Sequence, residues 1–137
     1  MVDFLIIGPF NIICYVDIFP LIMSNKINLG YNRVGEFCDG TKFGNTNWFT
    51  TFDVKERGYL KLKEYKEGDY KKFDNYNAIN VDRTEDIPDY DGVMGVPITF
   101  LEKWNPGQFE VVNLMNSKLD TLSDGVYKYV RILIKRK

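Results

Sequence analysis

A chain of 137 residues with 45% apolar and 15% aromatic content is of single-domain size and can bury a core, which excludes a disordered segment. Its net charge of −1 gives no bulk attraction to nucleic acid or membrane, so such a partner has to be met by a local patch. The lack of histidine removes the commonest general base and metal ligand, and two cysteines, Cys14 and Cys38, are too few for a zinc or disulfide framework, so a reducing cytoplasm is expected.

Phe4-Leu5-Ile6-Ile7, closed by Gly8-Pro9, has no polar alternation and predicts a strand buried on both faces, as in a parallel sheet covered by helices. Asn11 stands at a helix N-cap position, and Ile12, Val16, Phe19 and Met23 recur at helical spacing. Strand, turn and helix make one half-unit of a doubly wound sheet. The alternative is an ordinary first strand of a small domain. Pro20 should kink the helix or restart it after Phe19, with an end by Asn25-Lys26. Residues 27–31 alternate and predict a short strand, residues 32–47 a polar, glycine-rich loop. Residues 48–53 favour a strand able to pair antiparallel with it, Trp48 packing on the sheet in preference to stacking on a base.

Residues 54–74 change character. Lys55, Arg57, Lys61, Lys63, Lys66, Lys71 and Lys72 are interleaved with Tyr59, Tyr65, Tyr70 and Phe73 and partly neutralised by Glu56, Glu64, Glu67 and Asp69. Two roles fit: a track that neutralises phosphates and stacks bases, or a solvated, salt-bridged excursion. For the first, Lys55, Arg57, Lys61, Lys63, Lys71 and Lys72 are the candidate DNA contacts. Residues 77–81 predict a weak strand, and the acidic run 82–91 should face away from any phosphate. Val93-Met94-Gly95-Val96-Pro97 is a short apolar passage. Thr99 and Glu102 match a capping box, predicting a short helix to Trp104. Asn105-Pro106-Gly107 reads as a turn. Residues 109–114 and 127–134 read as an antiparallel pair of strands joined by a loop with Ser123-Asp124-Gly125, and Lys135-Arg136-Lys137 as a basic tail. No glycine-rich phosphate loop or aspartate ladder is present, so no catalytic, cofactor-binding or metal-ligating residue is expected. No apolar run reaches membrane-spanning length, and Met1-Val2-Asp3 lacks the basic flank of a signal peptide, so no membrane partner is expected.

With Gly92-Val93-Met94-Gly95-Val96-Pro97-Ile98-Thr99-Phe100-Leu101 in view, the chain resembles the EcoRI-type family of adenine-specific DNA methyltransferases through most of its length. Phe4 to Gly8 with Asn11, Phe19-Pro20-Leu21-Ile22, Leu29-Gly30-Tyr31, and Phe43-Gly44-Asn45 with Trp48-Phe49-Thr50 are similar to successive blocks of that family. So are Asp74-Asn75-Tyr76-Asn77-Ala78-Ile79-Asn80-Val81, Asn105-Pro106 with Gln108-Phe109-Glu110, and Arg131-Ile132-Leu133-Ile134-Lys135. Each block is unspecific alone; order and spacing carry the signal. Ile12-Ile13-Cys14 replaces a more usual Ala-Ile-Thr, Asn28 stands where an aromatic is common, and the 115–126 loop is short.

In the family these blocks belong to the C-terminal half. The resemblance implies an α/β fold: the C-terminal part of a class I, Rossmann-like methyltransferase sheet with an added antiparallel hairpin, residues 3–8 being its fifth strand. It implies a single domain with sheet strands and helix at 1–53, the basic and aromatic excursion at 54–74 and an α+β portion at 75–137. The S-adenosylmethionine site and the Asn/Asp-Pro-Pro-Phe/Tyr loop that grips the target adenine precede this region in the family; Gly8-Pro9-Phe10 is a single proline after the wrong strand. The implied function is that of the C-terminal portion of a cytoplasmic, S-adenosylmethionine-dependent DNA adenine N6-methyltransferase of the restriction–modification type. S-adenosylmethionine is then the cofactor of the parent family, none being expected for this chain alone. The expected partners are double-stranded DNA, through the full enzyme, and a missing N-terminal half. Two competing expectations are a non-catalytic nucleic-acid-binding module and a remnant that self-associates into a homo-oligomer through an uncovered sheet edge near residue 3.

Overall fold

Strands dominate the computed structural model, which describes residues 3–30, 35–36, 38–42, 44, 46–54, 56–115 and 120–137. The fold is mixed α/β, with three sheets and a single short α-helix among the described residues. The chain divides into two compact units, Met1–Glu56 and Arg57–Lys137.

In the first unit, β1 (Leu5–Pro9), β2 (Asn28–Leu29) and β3 (Thr46–Thr50) form an antiparallel sheet in the order β1-β3-β2. The expected pairing of the strand near residue 28 with that of Trp48 is present, Asn28 facing Thr50 and Leu29 facing Phe49. β1 departs from expectation. It is an antiparallel edge strand, with Ile7 opposite Trp48, and Leu5 and Ile6 are 52% and 48% exposed. An unbroken apolar run implies two-sided burial only where layers cover both faces, and the described residues supply no such cover.

Asn11 is not an N-cap. Pro9, held at φ −63, leads into a 3-10 turn over Phe10–Cys14, and Asn11 lies inside it. Val16, 84% exposed, is off the apolar stripe. The helix restarts where Pro20 allows: α1 (Phe19–Met23) has the proline in its first turn, where a missing N–H costs nothing. Asn25, at φ +61, closes α1: its N–H donates to the Ile22 carbonyl at 3.0 Å, and the Lys26 N–H to the Leu21 carbonyl at 2.8 Å. Among the described residues, Phe10, Ile13, Phe19, Ile22, Ile27, Leu29 and Phe49 are the buried apolar ones of this unit.

The second unit is built on β4 (Ile79–Asn80), β5 (Val93–Pro97), β6 (Phe109–Met115) and β9 (Arg131–Arg136), in the order β4-β5-β9-β6. Only β4 and β5 run parallel. Here the rule of two-sided burial holds. β9 lies between β5 and β6, and its run Ile132-Leu133-Ile134 is at most 1% exposed on either face. Each such side chain contributes about 1.5–3 kcal/mol of burial. A bulge between Val111 and Asn113 turns Val112 outward. Phe100 and Phe109 meet edge to face, centroids 5.7 Å apart.

Two further expectations are corrected. Residues Ile98–Glu102 form a 3-10 turn flanked by Pro97 with no side-chain cap, so Thr99 is inside the turn and no capping box forms. The strand expected over 127–134 is broken at 128–130. Its first residues belong to a separate hairpin of β7 (Leu122–Ser123) and β8 (Val126–Tyr127), turned by Asp124 and Gly125 at φ +52 and +77. A two-residue turn with both φ positive matches the twist of its strands, and Asp-Gly is suited to it.

Candidate nucleic-acid interface

From Arg57 to Ala78 the chain follows no regular element, yet its backbone is held at many points. Gln108 grips Leu60 from both sides: its Oε1 accepts from the Leu60 N–H and its Nε2 donates to the Leu60 carbonyl, both at 2.7 Å. Asn105 donates to the Arg57 carbonyl, and the Arg57 guanidinium donates to the Glu102 carbonyl. Lys63 is bridged to Pro88, and Lys72 to Ile79. A segment without ladder hydrogen bonds satisfies its polar groups one at a time, which fixes the excursion to the body.

Its aromatic residues are spent largely on packing. Phe73 is buried with Ala78, Met115 and Leu133. Tyr65 stacks on Tyr70 at 6.0 Å and lies 4.6 Å from Tyr90, while the Tyr70 hydroxyl donates to the Asp86 carbonyl at 2.6 Å. Tyr59, 67% exposed, and Tyr76, 38% exposed, are the open aromatics of the segment.

Beside the excursion lies an open groove of about 700 Å³. Its cations are Lys63, Lys71, Arg83 and Lys128; its carboxylates include Asp82, Asp86 and Asp124. Each cation has a partner. Lys63 and Arg83 pair with Asp86, Lys71 with Asp124, and Lys128 with Asp82 at 3.6 Å. The hydrogen bond from Lys63 holds the Asp86 carboxyl below its ordinary range, and that from Lys71 does the same for Asp124. Asp82 is lowered first by the hydrogen bond from Asn80, then by Lys128 and Arg131. The acidic run thus supplies Asp82 and Asp86 as counter-charges of this groove, and the turn at residues 124–125 supplies Asp124.

Of the six candidate contacts, Lys63 and Lys71 line the groove and Arg57 braces the 3-10 turn. Lys61 and Lys72 are exposed, outside the groove lining, with no carboxylate partner among the described residues; Lys55 lies outside the described residues. Three features escaped the sequence reading. Arg131 is buried, its Nε donating to Asn80 Oδ1 at 3.2 Å and its guanidinium meeting Asp82 at 3.4 Å. Tyr127 and Tyr129 stand exposed on either side of Lys128. The Asp124-Gly125 pair was the signal for the hairpin that carries Tyr127. Among the described residues no helix is long and apolar enough to cross a membrane.

Residues 33–137 match the family model described as adenine-specific methyltransferase EcoRI. The chain is 40% identical to the Type II methyltransferase M.EcoRI of Escherichia coli, over 98% of this chain and 50% of that protein. It is 29% identical to a Type II methyltransferase of Mycoplasma genitalium, over 98% of this chain and 57% of the relative. A Type II methyltransferase of Mycoplasma pneumoniae is 35% identical over 70% of this chain and 37% of its own length. The chain thus spans about half the length of the first two relatives. No solved structure matches it.

Proposed function

Because the chain belongs to the EcoRI family of adenine-specific methyltransferases, we propose that it is the C-terminal portion of an S-adenosylmethionine-dependent DNA adenine N6-methyltransferase of the restriction–modification type. The observation that carries this is the 40% identity to a Type II methyltransferase across nearly the whole chain. An exocyclic adenine nitrogen cannot be reached inside the stack, so such an enzyme must hold its duplex while the base is extruded. This chain's part is to supply the edge of a Rossmann-like sheet and contacts to the DNA backbone, in the cytoplasm.

The cofactor is assigned outside this chain. The described residues do not fit S-adenosylmethionine: β1 runs through Pro9 into a 3-10 turn, where a nucleotide site would open a helix after glycines. The groove beside the excursion is walled mainly by paired charges, with Tyr70 and Val126 as its apolar contributions. No step of methyl transfer is therefore given to these side chains. Phosphate contacts fall to Lys55, Arg57, Lys61, Lys63, Lys71 and Lys72. The exposure of Lys61 and Lys72 supports the assignment, while a phosphate at Lys63 or Lys71 has to displace Asp86 or Asp124.

The test is a chimera in which this chain replaces the matched half of the Escherichia coli relative. The expected result is N6-methyladenine in duplex DNA, detected by mass spectrometry. A chimera that folds and binds S-adenosylmethionine but methylates nothing would overturn the proposal. The self-associating alternative draws on the exposed edge of β1, with Leu5 and Ile6 in water, and predicts a dimer in sedimentation that a β1 proline dissolves.

A further inference from the structure

The strands at the sheet margins differ in how they are closed. β2 and β8 are two residues long. β4 is bridged through Ile79 to Lys72, and the Leu122 carbonyl of β7 accepts from the Asp74 N–H at 2.7 Å. β6 is broken by its bulge between Val111 and Asn113 and carries the exposed Glu110. Short strands, bulges and charges are the devices that keep a margin from pairing further. β1 has none of them: Leu5–Pro9 holds five residues without a charge, and its register against β3 runs unbroken from Leu5–Thr50 to Pro9–Thr46. Its proline stands at the last position, where it stops a neighbour without blocking the residues before it.

The direction of the β1 backbone groups follows from Phe4. The Phe4 N–H donates to Thr51 Oγ1 at 3.0 Å, and the Phe4 carbonyl accepts from the Thr51 N–H at 3.2 Å and from Thr50 Oγ1 at 2.8 Å. Both groups of Phe4 therefore turn to β3. Along an antiparallel ladder the groups of alternate residues turn the same way. Ile6 and Gly8 thus bond β3, and the N–H and C=O groups of Leu5 and Ile7 point to the side where β1 has no neighbour among the described residues. The side chains are as open. Ile6 shares the face of the buried Phe49 and Leu29 yet is itself exposed, and Leu5 is exposed on the opposite face, beside the half-buried Ile7 and Trp48. The other exposed large apolar residues described in this unit, Tyr15, Val16, Met23 and Phe52, lie off the strands.

We propose that a strand from the other half of the methyltransferase pairs with β1 along this edge, bonding the N–H and C=O groups of Leu5 and Ile7. The proposal rests on the reading that this chain is the C-terminal portion of such an enzyme. Length and faces decide the occupant. The match covers 50% of the Escherichia coli relative, so about as much chain again lies outside it, enough to bring covering layers as well as a strand. A second copy of β1 would close the edge but leave Leu5 and Ile6 without cover, because each copy is bare on the same two faces. A strand apolar on both faces is one that a sheet holds inside it, between layers. The segment that fits is extended, apolar at successive positions and free of proline opposite Leu5 to Ile7. Main-chain hydrogen bonds hold it, and Pro9, which has no N–H, ends the pairing.

The experiment compares the isolated full chain with the chimera that joins it to the unmatched half of the Escherichia coli relative, by amide hydrogen exchange resolved to single residues. In the isolated chain the Ile6 and Gly8 amides should exchange slowly and those of Leu5 and Ile7 fast. In the chimera Leu5 and Ile7 should slow by about a hundredfold. Ile7→Pro removes an outward N–H, so the isolated chain should keep its urea midpoint while methylation by the chimera falls by about tenfold. Ile6→Pro, which removes a bond to β3, should lower the midpoint of the isolated chain itself. A chimera that methylates DNA while Leu5 and Ile7 exchange as fast as in the isolated chain would overturn the edge's role and leave the C-terminal reading intact. An isolated chain that dimerises with both amides already slow would give the edge to a second copy and overturn the proposal. A chimera with both amides slowed but no methylation would uphold the pairing and overturn the enzymatic reading.

Discussion

Arg131 and Asp82 meet at 3.4 Å with opposite surroundings: the arginine side chain is 9% exposed, the carboxylate side chain 63%. The arginine is the costly member, because it has left water and also holds Asn80 and the Tyr129 carbonyl. Arg131→Ala should therefore destabilise the second unit by about 2–3 kcal/mol, leaving the buried Asn80 oxygen unpaired. Asp82→Ala should cost no more than about 1 kcal/mol. Urea unfolding followed by Trp104, which is buried with its indole N–H on the Phe109 carbonyl, measures both in a Trp48→Phe background. Equal costs would assign the pair's contribution to the exposed partner.

Acid should act through the same groove. Asp82, Asp86 and Asp124 all have folded-state pKa values below the ordinary carboxylate range. Such groups contribute stability that is fully present above their unfolded value, about 4, and is lost as pH falls through the folded one. Lys63 and Lys71, raised by the same hydrogen bonds, contribute stability that holds below about pH 10 and is lost above it. The urea midpoint should be level between those limits and decline in acid, and Asp82→Asn should decline less steeply there. Parallel acid limbs for parent and variant would remove Asp82 from the account.

Gly95 and Gly30 leave no room for a side chain. A Cβ on Gly95 would meet ring atoms of the buried Phe73 at 2.5 and 2.6 Å, and one on Gly30 would meet Trp48 Cβ at 2.7 Å. Gly95→Ala should cost about 1–3 kcal/mol, because neither the ring nor the central sheet can retreat. Gly58→Ala, whose Cβ would enter open space, should stay within about 0.5 kcal/mol. Gly30→Ala should redden Trp48 emission by loosening its packing; an unmoved emission would mean that the indole does not depend on that contact.

Titration calorimetry of the isolated chain with S-adenosylmethionine should give no binding heat. Micromolar binding would place a cofactor site in residues that offer neither a glycine turn nor an apolar slot in the groove.

Much of the sheet of the second unit was legible because its signals are local. Ile132 to Ile134 is a continuous apolar run inside the strand expected there, and Val93 to Pro97, read only as an apolar passage, is a second; buried strands have no polar alternation to hide them. The same pattern misled at Leu5 and Ile6, since an apolar run states what a strand can bury and not what covers it. Thr99 and Glu102 had the spacing of a capping box, but Pro97 had already set the geometry of the turn. The groove was less legible. Lys63 and Asp86 are 23 residues apart, and Lys71 and Asp124 are 53 apart. Composition showed a basic stretch and an acidic stretch as separate blocks; only the fold sets one against the other.

That opposition gives the last prediction. If the excursion tracks DNA, its cations release condensed counterions, and affinity falls with salt by a slope of about 0.9 per phosphate contact. Lys61 and Lys72 have no carboxylate partner among the described residues, so Lys61→Ala or Lys72→Ala should each lower the slope by about one contact. Lys63 and Lys71 are held by Asp86 and Asp124, so a phosphate reaches them only by displacing a carboxylate. Asp86→Asn and Asp124→Asn should therefore strengthen binding, while Lys63→Ala alone changes little. These effects should be nearly the same on any DNA sequence, since phosphate contacts position a protein without specifying a site. Anisotropy titrations across a salt series with two unrelated duplexes read both quantities. A slope unchanged in Lys61→Ala and Lys72→Ala, with no gain from either asparagine, would return the excursion to a solvated, salt-bridged surface.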